Sequence, residues 1–131
     1  MHRRICFIVL ICLLACVGCG KRQKSTDELI ADLDSPEAND RVIAIRLLET
    51  RKGDPARVVP AMIKALKDKE DDVRWGAANG LGYYGAEAKE AIPALKEVQE
   101  HDSDARVRDA ARGALGRIDS SLATPAKTRG K

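Results

Sequence analysis

From Ser25 to Ile118 the apolar positions of this chain recur at helical spacing, in six short runs separated by polar turns. Ser25, with Glu28 three residues on, forms a capping box ahead of Leu29, Ile30 and Leu33, which predicts a brief first helix. Ser35 can cap a second, with Pro36 at its first position, Glu37 in its first turn and Ala44, Ile45, Leu47 and Leu48 along it; it should run to about Arg51 and end at Gly53. Asp54-Pro55 repeats the signal before Val58, Val59, Met62, Ile63 and Leu66, a third helix that Pro60 should bend near its first turns or delay. Asp71 or Asp72 caps a fourth, Val73 to Tyr84, closed by Gly85. On its helical wheel Val73, Ala77, Gly80, Leu81 and Tyr84 share one face, with Trp75, Ala78 and Gly82 on the other. Gly76, Gly80 and Gly82 each cost up to about 1 kcal/mol against alanine, so this helix depends on its neighbours. A fifth helix spans roughly Ala88 to Glu100 with Ile92, Leu95 and Val98 inward. A sixth, capped by Asp102 or Ser103, carries Val107, Ala110, Ala111, Ala114, Leu115 and Ile118. Periodicity ends there, and residues 119–131 read as a disordered basic tail.

The helices repeat in pairs. Pro60 maps onto Pro93, a step of 33, and VRWGAANGLG from Val73 maps onto VRDAARGALG from Val107, a step of 34. Self-similarity at that period marks a stack of supersecondary units, because one helix pair cannot bury its apolar face alone. The predicted fold is all-α, a solenoid of about three antiparallel helix pairs over residues 25–118.

Composition narrows this picture. With 44% hydrophobic but only 3% aromatic residues, the core must be Ala, Leu, Ile and Val, which suits closely packed helices. All four cysteines, Cys6, Cys12, Cys16 and Cys19, lie ahead of the helical body, which removes a disulfide framework and a Cys-ligated metal from the fold. Residues 1–19 read as an export signal: basic Arg3 and Arg4, thirteen apolar residues from Ile5 to Val17, too few to span a bilayer, then small residues and cysteine. Its end resembles the bacterial lipoprotein signal, which implies diacylation of Cys19, or of Cys16 as the alternative. An ordinary signal cut nearby without a lipid is the other reading. Residues 20–24 form a basic tether. The expected location is outside the cytoplasm, lipid-anchored at the cell envelope. The net charge is +3, and removal of Arg3 and Arg4 leaves about +1, so no nucleic-acid partner is expected.

The block PAMIKALKDKEDDVRWGAANGLGYYG resembles a HEAT repeat of the short bacterial kind, also found in phycobilisome-lyase-like proteins. That pattern has proline in the first helix, aspartate in the turn and Val-Arg opening the second helix. Here those positions are Pro60, Asp68, Val73 and Arg74, then Pro93, Asp102, Val107 and Arg108. The resemblance implies that the aspartates and arginines build a hydrogen-bonded ladder between repeats, a structural role. The first pair departs from it: Asp34 to Arg41 spans seven residues instead of six, Asp40 replaces the valine, and no proline matches Pro60.

Little in the body points to chemistry. His101, Asp102 and Asp104 could be read as metal ligands, but three residues in one solvated turn make a poor closed site, and helix capping explains them as well. No nucleophile with its base, no phosphate loop and no His-Glu pair of the HEAT-type hydroxylases is present. The expectation is of a protein that is not an enzyme and needs no cofactor. It would instead be a scaffold for a protein or peptide partner, with a lyase-like helper and a nucleic-acid-binding module as the rivals. The mature aromatics, Trp75, Tyr83 and Tyr84, all lie on the fourth helix. Trp75, with Asn79, Arg74, Arg108 and Arg112, is the candidate partner-binding set; alternatively Trp75 packs between adjacent repeats. Oligomeric state is left open.

Overall fold

The computed structural model describes residues 22–51 and 53–122, and every regular element among them is helical. We number the helices α1 (Thr26–Asp32), α2 (Ala38–Glu49), α3 (Pro55–Ala65), α4 (Asp71–Tyr84), α5 (Ile92–His101) and α6 (Ala105–Ile118). Two 3-10 segments, Gly85–Ala91 and Ser120–Leu122, follow α4 and α6. The helices form three consecutive pairs stacked side by side. The second helices make one layer in the order α2, α4, α6; in the other, α1 meets α3, and α3 meets the segment Gly85–Ala91. The solenoid architecture read from the period is therefore the observed one.

Its core is one continuous aliphatic cluster running through all three pairs, including Leu29, Ile45, Leu48, Val58, Met62, Leu81, Leu95, Ala111 and Leu115. The central helix α4 is covered on several sides: Ala78 and Gly82, assigned by the wheel to the outer face, are buried along with Val73, Ala77 and Leu81. A wheel divides a helix into core and solvent. A middle repeat has a neighbour on either side as well, so its small residues disappear into both contacts.

Element boundaries differ from expectation for identifiable reasons. The capping box of α1 forms as predicted, with Ser25 Oγ accepting from Glu28 N at 3.2 Å and the Glu28 carboxylate accepting from Ser25 N at 2.6 Å. Ahead of α2, however, Ser35 Oγ accepts from Glu37 N at 3.3 Å, so Glu37 takes the N-cap position and the helix starts at Ala38. Asp104, rather than Asp102 or Ser103, caps α6, accepting from Arg106 N at 2.7 Å and Val107 N at 3.4 Å. The third helix does begin at Pro55 and continues through Pro60. Pro93 lies in the first turn of α5, because the residues before it wind as a 3-10 helix where the sequence predicted α-helix from Ala88. Gly85 turns the chain out of α4 with φ of 55°, a left-handed value that favours glycine. Beyond α6, Ser120–Leu122 forms a turn with Leu122 half-buried against the core, so the tail begins later than Asp119; residues 123–131 lie outside the described residues.

Candidate partner-binding groove and the ladder behind it

Before each second helix the chain makes the same turn. Ser35, Asp68 and Asp102 each sit two residues ahead of the N-cap, and each side chain accepts the N-cap residue's N–H: Glu37 at 3.3 Å, Glu70 at 2.9 Å and Asp104 at 2.9 Å. An arginine six residues later returns to the same turn. Arg41 Nη1 donates to Ser35 O at 2.8 Å, Arg74 Nη1 to Asp68 O at 2.9 Å and Arg108 Nη1 to Asp102 O at 2.6 Å. The other edge of the guanidinium reaches the next repeat. Arg41 Nε and Nη2 grip the Asp68 carboxylate at 2.8 and 2.9 Å, and Arg74 grips Asp102 at 2.8 and 3.0 Å.

Bidentate pairing of this kind fixes geometry as well as charge. Arg41 is the one charged residue buried as a whole among the described residues, and the Arg74 and Asp102 side chains are 14% and 6% exposed. The Arg74 hydrogen bond is the chief reason the Asp102 carboxyl titrates below the usual range; reciprocally, Asp102 raises the Arg74 pKa. Ser35, not Asp34, is thus the first-repeat equivalent of Asp68 and Asp102, and the apparent seven-residue spacing there becomes six. Asp34 instead pairs with Lys64 at 2.6 Å on the surface.

On the exposed side of the second-helix layer lies a groove of about 440 Å³. Val42, Arg46 and Glu49 of α2 form one wall, Trp75, Gly76, Asn79 and Tyr83 of α4 the floor and rim, and Arg117 of α6 the far wall. Trp75 keeps 39% of its surface exposed and Tyr83 61%, so two aromatic rings stand at the groove while Tyr84, from the same helix, is buried. The Tyr84 hydroxyl lies 3.0 Å from Leu48 O and 3.2 Å from Arg51 O, its proton satisfying carbonyls at the end of α2; burial pushes its pKa up. Asn79 Nδ2 donates to Trp75 O at 3.1 Å, which braces the floor. Gly82 admits Arg117 to the wall, since a Cβ there would sit 2.5 Å from the guanidinium nitrogens. Burial also raises the pKa of the Glu49 carboxyl, with nearby Arg46 opposing.

The sequence-predicted residues therefore separate. Trp75 and Asn79 line the groove. Arg74 does not, because its guanidinium is committed to Asp102 and to the Asp68 and Lys69 carbonyls. Arg108 bonds the Asp102 and Ser103 carbonyls, and Arg112 pairs with Asp109 at 2.6 Å on an exposed face. Tyr83, Arg46, Glu49 and Arg117 were missed. The aromatic concentration on one helix pointed to Tyr83; nothing in a linear period singles out residues that meet only across three repeats. His101 is exposed at the end of α5 beside Glu100, and no His, Cys, Asp or Glu cluster able to hold a metal occurs among the described residues. Cys16 and Cys19 lie outside the described residues. Three tether residues are within them, and two of these are paired, Arg22 with Glu28 at 3.2 Å and Lys24 with Asp32 at 2.7 Å. No described helix is long and apolar enough to cross a membrane.

A stack of helix pairs cross-tied by an Asp–Arg ladder is an α-solenoid. Its family is equally plain: the HEAT repeat pattern matches residues 26–119, and the chain belongs to the HEAT repeat family. No curated protein matches it in sequence. Among solved structures it is similar to a chain in the complex of CpcE and CpcF of phycocyanin lyase from Nostoc sp. PCC7120, with 28% identity and a TM-score of 0.69. That alignment covers 79% of this chain but 41% of the other, so the chain spans less than half the length of the solved relative. This likeness corrects one expectation. The missing catalytic residues suggested a protein that is not an enzyme, whereas the structure it matches belongs to a lyase. Absence of a nucleophile or metal site in a short solenoid is poor ground for excluding catalysis, since active groups can be assembled across subunits.

Proposed function

We propose that this HEAT-repeat scaffold docks a protein or peptide partner in the groove lined by Trp75, Asn79 and Tyr83, between Arg46 and Arg117. The observation that carries the reading is the pair of exposed aromatic rings beside a glycine-lined floor, in a fold whose other large apolar side chains, Ile43 and Leu47 apart, are mostly covered. Aromatic and arginine side chains at a desolvated pocket are the usual anchors of interfaces. The sequence before Ser25 supports an envelope location, with a lipid on Cys19 or Cys16 holding the domain at the membrane surface.

A photo-crosslinking residue at Tyr83 tests the docking site, with the same residue at exposed Glu90 as the control. Adducts to one partner from position 83 and none from position 90 are expected; equal labelling from both positions contradicts the groove. Acyl labelling lost in Cys19→Ser but kept in Cys16→Ser is the result expected for the anchor. No labelling in the parent chain contradicts it.

The likeness to phycocyanin lyase favours a second reading, a lyase-like helper that acts on the protein it receives. Intact-mass measurement of the captured partner checks this. A covalent group gained or lost only when the wild-type chain is present supports it, and an unchanged mass contradicts it.

A further inference from the structure

The repeat register exposes an anomaly at the first pair. Aligning Arg41, Arg74 and Arg108 makes Asp40, Ile43 and Leu47 the equivalents of Val73, Gly76 and Gly80, and of Val107, Ala110 and Ala114. In the second and third pairs this row is small or apolar and buried. It reaches the preceding pair: a Cβ on Gly76 would meet Ile45 at 3.4 Å, and one on Gly80 would meet Glu49 Cγ at 3.3 Å as well as Met62 of its own pair at 2.9 Å. The first pair has no described pair before it, yet the row carries larger apolar side chains. Ile43 is 55% and Leu47 39% exposed, four residues apart on one face of α2.

Three features indicate the occupant. The opposite end of the stack cannot supply it: Arg112 stands where Ile45 and Ala78 meet the next pair, and it is exposed and paired with Asp109. Head-to-tail stacking would bury that charge on Ile43 and Leu47, so an open chain of copies is disfavoured. A further apolar repeat would likewise cover the exposed Asp40 carboxylate, which accepts from the Ser35 hydroxyl at 3.1 Å and has no bonded cation among the described residues. Two copies of α2 in antiparallel register avoid both costs. Setting Ile43 against Leu47 of the other copy brings Asp40 level with Thr50, the C-cap of α2, and Arg51, the next residue, supplies the opposite charge there.

We propose that Ile43 and Leu47 form the centre of a two-fold interface with a second copy of this chain, α2 against α2, with Asp40 of each copy facing Arg51 of the other. The patch is small for a stable dimer, so association is concentration-dependent. This end face is separate from the Trp75 groove and does not rest on it.

Sedimentation equilibrium of the full chain in density-matched mild detergent, from about 1 to about 100 μM, tests the proposal. The expected result is a dimer fraction that rises with concentration and disappears in Leu47→Asp, whose circular dichroism remains helical. Asp40→Arg should weaken association at least about tenfold, and adding Arg51→Asp should restore it. A wild-type monomer throughout would overturn the proposal. So would a dimer that Leu47→Asp leaves intact, as expected if residues 1–21 or another surface pair the chains, or a charge exchange that fails to rescue.

Discussion

The turn side and the groove side of this stack use the same residue type in opposite ways. Behind the second helices, Arg41 and Arg74 are locked by carboxylates and carbonyls, and their bonds cross each repeat junction. At the groove, Arg46 and Arg117 are exposed beside Trp75 and Tyr83, which are themselves partly exposed. One side spends its polar groups on holding the register of the repeats; the other presents them outward. A mutation on the turn side should therefore damage the fold, and one at the groove should spare the fold while weakening binding.

The largest effect is expected at the ladder. Asp102→Ala leaves the Arg74 guanidinium in a nearly buried site without its carboxylate, and urea denaturation should show a loss of about 3 kcal/mol. Asp68→Ala should cost a similar amount through Arg41. A loss below about 0.5 kcal/mol at both would place the ladder among surface ion pairs. Next is Gly80→Val, which drives branched carbons into Met62 Sδ, already 2.9 Å from the position of a Cβ, and into Glu49. Overpacking there should cost about 1–3 kcal/mol, read as a lower denaturation midpoint.

Acid should act through the same side. Asp102 is held below the usual carboxylate range chiefly by Arg74, and Asp104 is lowered to about 2 chiefly by the Arg106 N–H. Because both folded-state values are depressed, their stabilisation is present above the unfolded value of about 4 and is lost as pH falls below it, for Asp104 through its value of about 2. The urea midpoint should drop across that interval, less steeply in Asp102→Asn. The smallest stability change belongs to Trp75→Ala, about 1 kcal/mol or less by denaturation for a ring already 39% exposed. The same change should weaken partner binding at least about tenfold, which direct titration would measure.

Repeat period and capping signals made most of this fold legible. Pro60 and Pro93, with the two Val-Arg dipeptides, set the pair boundaries correctly. The first repeat was harder, because only Asp68 and Asp102 have a preceding arginine to receive; Ser35 keeps the turn-holding role and carries no carboxylate. A spacing rule keyed to aspartate therefore chose Asp34, one residue off. Arg74 was read both as a ladder residue and as a partner contact, and its side chain has one orientation, toward Asp102. The groove was half visible. Trp75 and Asn79 share a helix face, whereas Arg46 and Arg117 come from the flanking repeats and reach the same space only once the layers are stacked.

The lone tryptophan of the chain stands in the groove, so its fluorescence reports directly on occupancy. Acrylamide quenching of Trp75 with and without the cross-linked partner, once that partner is purified, is the most direct measurement. Docking over the groove predicts a clear fall in the quenching constant at saturation, while Arg74 and Asp102 remain bonded behind it. A partner that binds at full stoichiometry and leaves the quenching of Trp75 unchanged would contradict the account.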